Sequence, residues 1–163
     1  MPPGRPQADD GDAGGGGGRV LAVDWGSKRF GLALSDPTRL IAQPLVTLTR
    51  RANHRAPVAD IVELIARHRV TLVVVGLPLD PDGAEGDAAR EARELGEAVR
   101  RRSAVPVTYW DERLSTAAAL RSARTAGVRD RDSRGRIDQM AAVAILQHWL
   151  DAQPRERTPA ADA

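Results

Sequence analysis

The sequence predicts an α/β fold built on one mixed sheet of five strands with helices packed against it. Three observations predict this fold. Five short apolar segments have the length and the Val, Leu and Ile content of strands. The first three follow one another through short connections, which favours an antiparallel meander. The last two each follow a segment with helical apolar spacing, which favours parallel pairing through right-handed crossovers.

The strands are predicted from their own patterns. A continuous apolar run, residues 20–23, ends at Asp24, and the second strand alternates apolar and small residues. The turn Asp36-Pro37 separates the second strand from the third. The fourth strand is continuously apolar, as expected for a central strand covered on both faces. The predicted strands are residues 20–24, 30–35, 40–48, 71–75 and 105–111.

Four helices complete the prediction. The first two carry apolar side chains at intervals of three and four residues, and Gly127 ends the third. The predicted helices are residues 57–68, 87–102, 116–126 and 137–151. The resulting order, βββαβαβαα, is the ribonuclease H-like arrangement, in which an antiparallel meander leads into parallel strands and helices flank the sheet.

Composition indicates one domain between two tails. The length of 163 residues suits a single core. Residues 1–18 are rich in Gly, Pro and Asp and residues 153–163 are polar, so we expect disordered tails around a domain at residues 19–152. The chain has no Cys, which excludes disulfides and favours a reducing compartment. No apolar run resembles a signal peptide or a membrane span, so we expect a cytoplasmic protein without a membrane partner.

Acidic residues mark one edge of the predicted sheet. Asp24 ends the first strand, Asp111 and Glu112 end the fifth, and Asp138 lies in the first turn of the fourth helix, on its apolar side. In open α/β sheets the carboxyl ends of the strands are where ligands bind. Each acid alone has a simpler explanation, such as bracing a turn, forming a surface ion pair or complementing a helix dipole.

Together these acids predict a metal site. Converging carboxylates repel one another unless a divalent cation joins them. Oxygen ligands without Cys favour Mg²⁺ or Mn²⁺. Two such ions about 4 Å apart can stabilise the attacking and leaving oxygens of a phosphodiester displacement. Strand alternation sends Asp111 and Glu112 to opposite faces, and spacing alone does not choose between them.

Basic residues lie close to these acids in the sequence. Lys28 and Arg29 follow Asp24, and residues 113–136 hold seven arginines against two aspartates, a local balance of +5. Such a patch either meets nucleic-acid phosphate or forms a solvated loop. Residues 129–136 have no apolar side chain and include Gly135, so we expect this segment to be mobile without a ligand.

Four segments together resemble one protein family. They are residues 24–31 (DWGSKRFG), 75–79 (VGLPL), 111–116 (DERLST) and 137–142 (IDQMAA). In this order they are similar to the YqgF (RuvX) family, whose members are described as Holliday-junction resolvases and as pre-16S ribosomal RNA nucleases. The resemblance covers nearly all of residues 19–151.

The resemblance implies a function and a set of site residues. It implies a ribonuclease H-like, metal-dependent endonuclease that acts on structured RNA and processes the 5′ end of pre-16S ribosomal RNA. It places the catalytic acids and the ligands of Mg²⁺ or Mn²⁺ at Asp24, Glu112 and Asp138, and so favours Glu112 over Asp111. The residues predicted to contact nucleic acid are Lys28, Arg29, Arg113, Thr116, Arg129, Arg131, Arg134 and Arg136.

Three other functions compete with this one. Cleavage of a DNA Holliday junction needs the same acids, because the sugar is read elsewhere through its 2′-hydroxyl group. A nucleotide-binding ATPase of the actin and sugar-kinase type shares the core, but it needs two such domains and this chain has one. A non-catalytic nucleic-acid-binding module is the third, and retention of all three acids argues against it. Whether the protein is a monomer or a homodimer stays open.

Overall fold

The structure is a computed structural model that describes residues 17–120 and 130–154, without the side chains of His54 and Arg131. Residues 1–16 and 155–163 of the two predicted tails lie outside the described residues. So do residues 121–129, which hold Arg129 and most of the third predicted helix; residues 117–120 at its start are helical.

One mixed sheet of five strands organises the chain. The strands are β1 (Arg19–Asp24), β2 (Arg29–Ser35), β3 (Ala42–Thr49), β4 (Val70–Leu77) and β5 (Val107–Asp111). Their order across the sheet is β3-β2-β1-β4-β5. The pairs β1–β2 and β2–β3 are antiparallel, whereas β1–β4 and β4–β5 are parallel. The predicted ribonuclease H-like arrangement of a meander followed by parallel strands is therefore confirmed.

Helices cover both faces of this sheet. They are α1 (Val58–Arg67), α2 (Asp87–Ser103) and α3 (Arg131–Ala152). Strand alternation separates two cores: in β1, Leu21 and Val23 pack with α1 and α2, whereas Val20 and Ala22 pack with α3. Among residues 17–120 and 130–154, no helix combines the length and apolarity needed to cross a membrane.

Helix α3 begins six residues earlier than the sequence predicts. The Asp130 carboxylate caps it by accepting hydrogen bonds from the backbone N–H and the hydroxyl of Ser133, at 3.2 and 3.0 Å. The Thr47 hydroxyl donates to the carbonyl oxygen of Gly135 at 2.7 Å and ties this end of the helix to β3. Residues 131–136 therefore belong to a helix and not to a loop, because a cap and a tertiary contact outweigh their low apolar content. That this segment moves without a ligand stays a prediction.

The early start also changes the position of Asp138. This residue lies two turns inside α3 rather than in its first turn. The macrodipole acts mainly within the first turn of a helix, so it does not account for an aspartate at this depth.

Candidate active site

Asp24 faces α3 because of its place in β1. Val20 and Ala22 pack in the core under α3, and alternation brings Asp24 to the same side of the sheet. It is 2% exposed, nearly as buried as the apolar residues that precede it. A carboxylate at this depth is costly unless other groups compensate for its lost hydration.

Two glycines flank Asp24 across the sheet. Gly31 of β2 is its antiparallel partner, and Gly76 of β4 follows the pair Val23–Val75. A Cβ on Gly31 would lie 1.9 Å from the carbonyl oxygen of Asp138. A Cβ on Gly76 would lie 2.7 Å from Oε1 of Glu112. The missing side chains thus leave the space that Asp138 and Glu112 occupy on either side of Asp24.

Glu112 and Asp111 have different environments in the structure. Glu112 begins a short 3-10 turn, Glu112–Leu114, and is 3% exposed. Asp111 is more exposed and its carboxylate accepts hydrogen bonds from the Arg113 guanidinium, the shortest at 2.7 Å. This bond lowers the pKa of Asp111, although partial burial opposes the shift. Glu112 therefore takes the buried position beside Gly76, whereas Asp111 belongs to a surface ion pair.

Glu112 holds its proton unusually tightly. Burial raises the pKa of this carboxyl to about 8, and the negative charge of Asp111 adds to the effect. At neutral pH the side chain is therefore mostly protonated while no cation is bound. A pKa shift of this kind on a buried carboxyl group is typical of a functional site.

Arg29 bonds the third acid. Its Nε donates to Oδ2 of Asp138 at 2.8 Å, and the two side chains are 16% and 1% exposed. Arg29 comes from the start of β2 and Asp138 from α3, so the pair joins the sheet edge to the helix. The guanidinium offsets part of the negative charge of the acids in a region of low dielectric.

The acids fit a hard divalent cation by their chemistry, since they offer only carboxylate oxygens and are shielded from water. Within residues 17–120 and 130–154, however, no group of three carboxylate or imidazole side chains is arranged to hold a metal ion. The Arg29–Asp138 bond occupies one carboxylate in this arrangement. Shared coordination would thus need a local rearrangement of these side chains.

The other predicted contact residues are dispersed around this edge. Lys28 is exposed in the β1–β2 turn, and Arg136 is exposed on α3. Nε of Arg134 is buried and finds no hydrogen-bond acceptor among the described residues. Arg113 is bound to Asp111 and donates to the carbonyl oxygen of Pro81 at 3.2 Å.

Thr116 and two arginines complete the predicted set. The backbone carbonyl of Thr116 accepts from the N–H of Leu120 at 3.1 Å, at the start of the helical residues 117–120. Arg131 is the first residue of α3, with its side chain outside the described part. Arg129 lies outside it entirely.

Sequence reasoning missed the role of Arg50. This residue follows β3, and its guanidinium donates to the carbonyl oxygen of Ser27 at 2.6 Å and lies 5.6 Å from the Trp25 ring centroid. It therefore fixes the turn between Asp24 and Arg29. The sequence carries no signal for this contact, since Arg50 is 23 residues from Ser27.

Comparisons with known proteins identify relatives of this chain. A family model described as "RuvX: Holliday junction resolvase" matches residues 18–152. A relative from Mycobacteroides abscessus, which bears the name "Putative pre-16S rRNA nuclease", is 46% identical over 94% of this chain and 90% of its own length. A relative of the same name from Lachnospira eligens is 39% identical over 84% of this chain and 99% of its own.

A solved structure that aligns with this one is "T. thermophilus RuvC in complex with Holliday junction substrate". It is 19% identical, covers 82% of this chain and 94% of its own, and has a TM-score of 0.49. The family model spans most of the chain and the relatives align along most of their length, so the chain belongs to the RuvX family.

Proposed function

We propose that this protein is a metal-dependent endonuclease that hydrolyses phosphodiesters in structured RNA, and that it processes the 5′ end of pre-16S ribosomal RNA. One observation carries the proposal. Asp24, Glu112 and Asp138 come from three separate elements, and all are buried at one edge of the sheet beside glycines that leave room for them. The names of the relatives support the RNA substrate.

The three acids would hold Mg²⁺ or Mn²⁺. When bound, the ion supplies an activated water and stabilises the charge that develops on the phosphodiester. Glu112 would hold the ion as a carboxylate, so cation binding would require release of the proton from its carboxyl group. Arg29 orients the Asp138 carboxylate through its 2.8 Å bond and, at 16% exposure, also reaches the surface where a phosphate would lie.

Basic side chains near this edge of the sheet would bind the phosphates on either side of the cleaved bond. Lys28 and Arg136 are exposed and face solvent, and Arg134 has a buried donor for which the described residues offer no acceptor. We propose that these side chains, together with Arg131 at the start of α3 and Arg129, which precedes it in the sequence, contact the RNA backbone. Arg113 and Thr116 belong to the same proposed surface. A chain without Cys fits the reducing cytoplasm, where this RNA would be met.

Cleavage of a DNA junction is the second candidate, supported by the description of the family model. The discriminating experiment incubates the purified full chain with two substrates: an RNA that spans the 5′ boundary of 16S ribosomal RNA, and a four-way DNA junction of similar size. Each reaction is run with Mg²⁺, with Mn²⁺ and with a chelator, using wild type and Asp24→Asn.

We expect cleavage of the RNA at a defined position, loss of cleavage with the chelator, and loss with Asp24→Asn in a protein that keeps its fold. Substitution by Asn removes one charge and almost no volume. Cleavage of the junction alone would favour the second candidate. Equal cleavage by a folded Asp24→Asn protein would overturn the proposed mechanism.

A further inference from the structure

A cavity of about 410 Å³ lies between the C-terminal ends of α1 and α2. Its lining is mostly aliphatic and also holds two exposed arginines; it includes Val62, Ile65, Val70, Val105, Arg69 and Arg102. Val70 begins β4, whereas Gly76 beside the acids lies near the end of that strand. At about 3.3 Å per residue, the cavity is about 20 Å from the acidic edge.

Arginines around this cavity are in excess over carboxylates. Arg67 is bonded to Glu63 and Arg100 to Glu97, each within one turn of its own helix. Arg69 and Arg102 are exposed and form no ion pair with any carboxylate that the structure describes. The lining thus includes two guanidinium groups that have no carboxylate partner among the described residues and that lie near the C-terminal ends of two helices, where positive charge is favourable.

Arg69 is held in an uncommon backbone conformation. It follows α1 with φ of 54°, in the left-handed region, where helix ends usually place glycine. For a residue with a Cβ this conformation costs roughly 1 kcal/mol. The backbone is fixed there by the bond from the N–H of Arg69 to the carbonyl oxygen of Ala66, at 3.4 Å. The Arg69 side chain is exposed just beyond the end of α1.

A second cavity provides a contrast. It has about 340 Å³ and lies between β3 and α1, where its lining includes Asp60, Glu63 and Arg67. Arg67 is bonded to Glu63 there, so this cavity offers no excess of positive charge. The two cavities are similar in size and differ in charge, which makes the second a control for binding driven by apolar contact alone.

We propose that the cavity between α1 and α2 binds one unstacked nucleobase of the RNA substrate, with the adjoining phosphate on Arg69 and Arg102. This inference rests on the proposed function as a nuclease of structured RNA. Aliphatic side chains pack against a face of a planar base, and each guanidinium group binds phosphate oxygens through paired N–H donors. Protein readout of RNA commonly uses such splayed bases. A site about 20 Å from the acids selects for RNA large enough to reach both.

The first test is direct. The full chain, with labelled Val, Leu and Ile methyl groups, is titrated by NMR with adenosine 5′-monophosphate, and separately with adenosine and with ribose 5-phosphate. We expect shifts at Val62, Ile65 and Val70, and none at Leu45 in the second cavity. The complete nucleotide should bind at least about tenfold more tightly than either fragment, since base and phosphate contribute together.

Variants of the two lining arginines sharpen this test. R69Q/R102Q should weaken nucleotide binding by about tenfold or more. R67Q/R100Q is the matched control, because it also removes two charges but only from arginines already paired, and it should change binding less than twofold. Absence of shifts at the cavity, or equal binding of ribose 5-phosphate, would overturn the inference.

A second test uses the RNA itself. R69Q/R102Q should lower the salt dependence of RNA binding by about 0.7 units of log–log slope for a lost single-strand phosphate contact. If wild type cleaves RNA and R69Q/R102Q binds it with unchanged affinity and slope, the inference fails and the proposed function stands. If the nucleotide binds the cavity but wild type cleaves no RNA, the site stands and the proposed function fails.

Discussion

Gly31 lies where the sheet and α3 approach most closely beside the proposed site. A Cβ at this position would lie 1.9 Å from the carbonyl oxygen of Asp138, 2.3 Å from its carbonyl carbon and 3.0 Å from the backbone nitrogen of Gln139. These are backbone atoms in the interior of a helix, so they cannot rotate away as a side chain can. Gly31→Ala therefore forces either β2 or α3 to move.

The required displacement follows from the distances. Ordinary van der Waals contact begins at 3.4 Å, so the carbonyl oxygen of Asp138 must retreat by about 1.5 Å. Helix α3 is anchored by Ala141, Ala142 and Ile145, all fully buried, and a shift of this size disturbs that whole interface. Overpacking of a core costs about 1–3 kcal/mol and sometimes more, and we expect at least about 3 kcal/mol here. The bond from Arg29 to Asp138 should weaken as well.

Urea denaturation of wild type and Gly31→Ala measures this cost. Gly135→Ala is the matched control on the same helix, because its Cβ would meet Thr47 only at 3.7 Å and beyond. Alanine is the better helix former, so the control should be neutral or stabilised by up to about 1 kcal/mol. A free energy of unfolding for Gly31→Ala within about 0.5 kcal/mol of wild type would refute the close approach, and with it the placement of Asp138 beside Asp24.

Three further predictions concern pH and charge. In metal-free buffer Glu112→Gln should stabilise the protein at pH 8 and not at pH 4. The folded protein keeps this carboxyl group protonated up to about pH 8, whereas the unfolded chain ionises it above pH 4.5. The free energy of unfolding of wild type therefore falls between these pH values by up to about 1.4 kcal/mol per pH unit. Urea titrations at both pH values test this, and an equal effect at both would contradict it. Burial raises the pKa of Asp36, but hydrogen bonds from the Thr38 hydroxyl and three backbone N–H groups outweigh it and lower the pKa from 3.8 to about 2. Asp36→Ala should therefore lower the free energy of unfolding by about 1 kcal/mol at pH 6, after allowance for partial exposure. This difference from wild type should disappear as the pH falls through about 2. Thermal unfolding across this pH range tests the prediction, and a difference that stays constant would contradict it. Replacing Arg134 and Arg136 with Gln should lower the salt slope of RNA binding by up to about one unit per lost phosphate contact, whereas an unchanged slope in a filter-binding assay would place the RNA elsewhere.

Much of the fold follows from local pattern. The apolar runs and the connection lengths predicted all five strands and their mixed pairing, because burial on two faces and short turns leave few alternatives. The start of α3 was predicted too late, since the low apolar content of residues 131–136 hides the Asp130 cap and the Thr47 contact. Contacts between residues far apart in sequence are the part that local pattern does not contain.

The candidate site divides in the same way. A carboxylate at the end of a buried strand marks Asp24, and acids at the ends of other strands indicate the same edge of the sheet. The choice of Glu112 came from family resemblance alone, and the structure adds a physical difference: Asp111 is bonded to Arg113 while Glu112 is buried. The functions of Gly31 and Gly76 as spacers depend on how closely α3 and the turn after β5 approach, which only the three-dimensional packing determines.

The most direct test of the proposed site compares two neighbouring acids in single-turnover cleavage of the RNA that spans the 5′ boundary of 16S ribosomal RNA. Glu112→Gln and Asp111→Asn each remove one charge, and both are assayed at saturating Mg²⁺ or Mn²⁺. We predict that Glu112→Gln lowers the rate by more than the roughly 10–100-fold typical of groups outside the ligand shell. Asp111→Asn, which breaks a surface ion pair with Arg113, should change the rate little. The reverse order, or equal small effects, would contradict the assignment of the buried acid to catalysis.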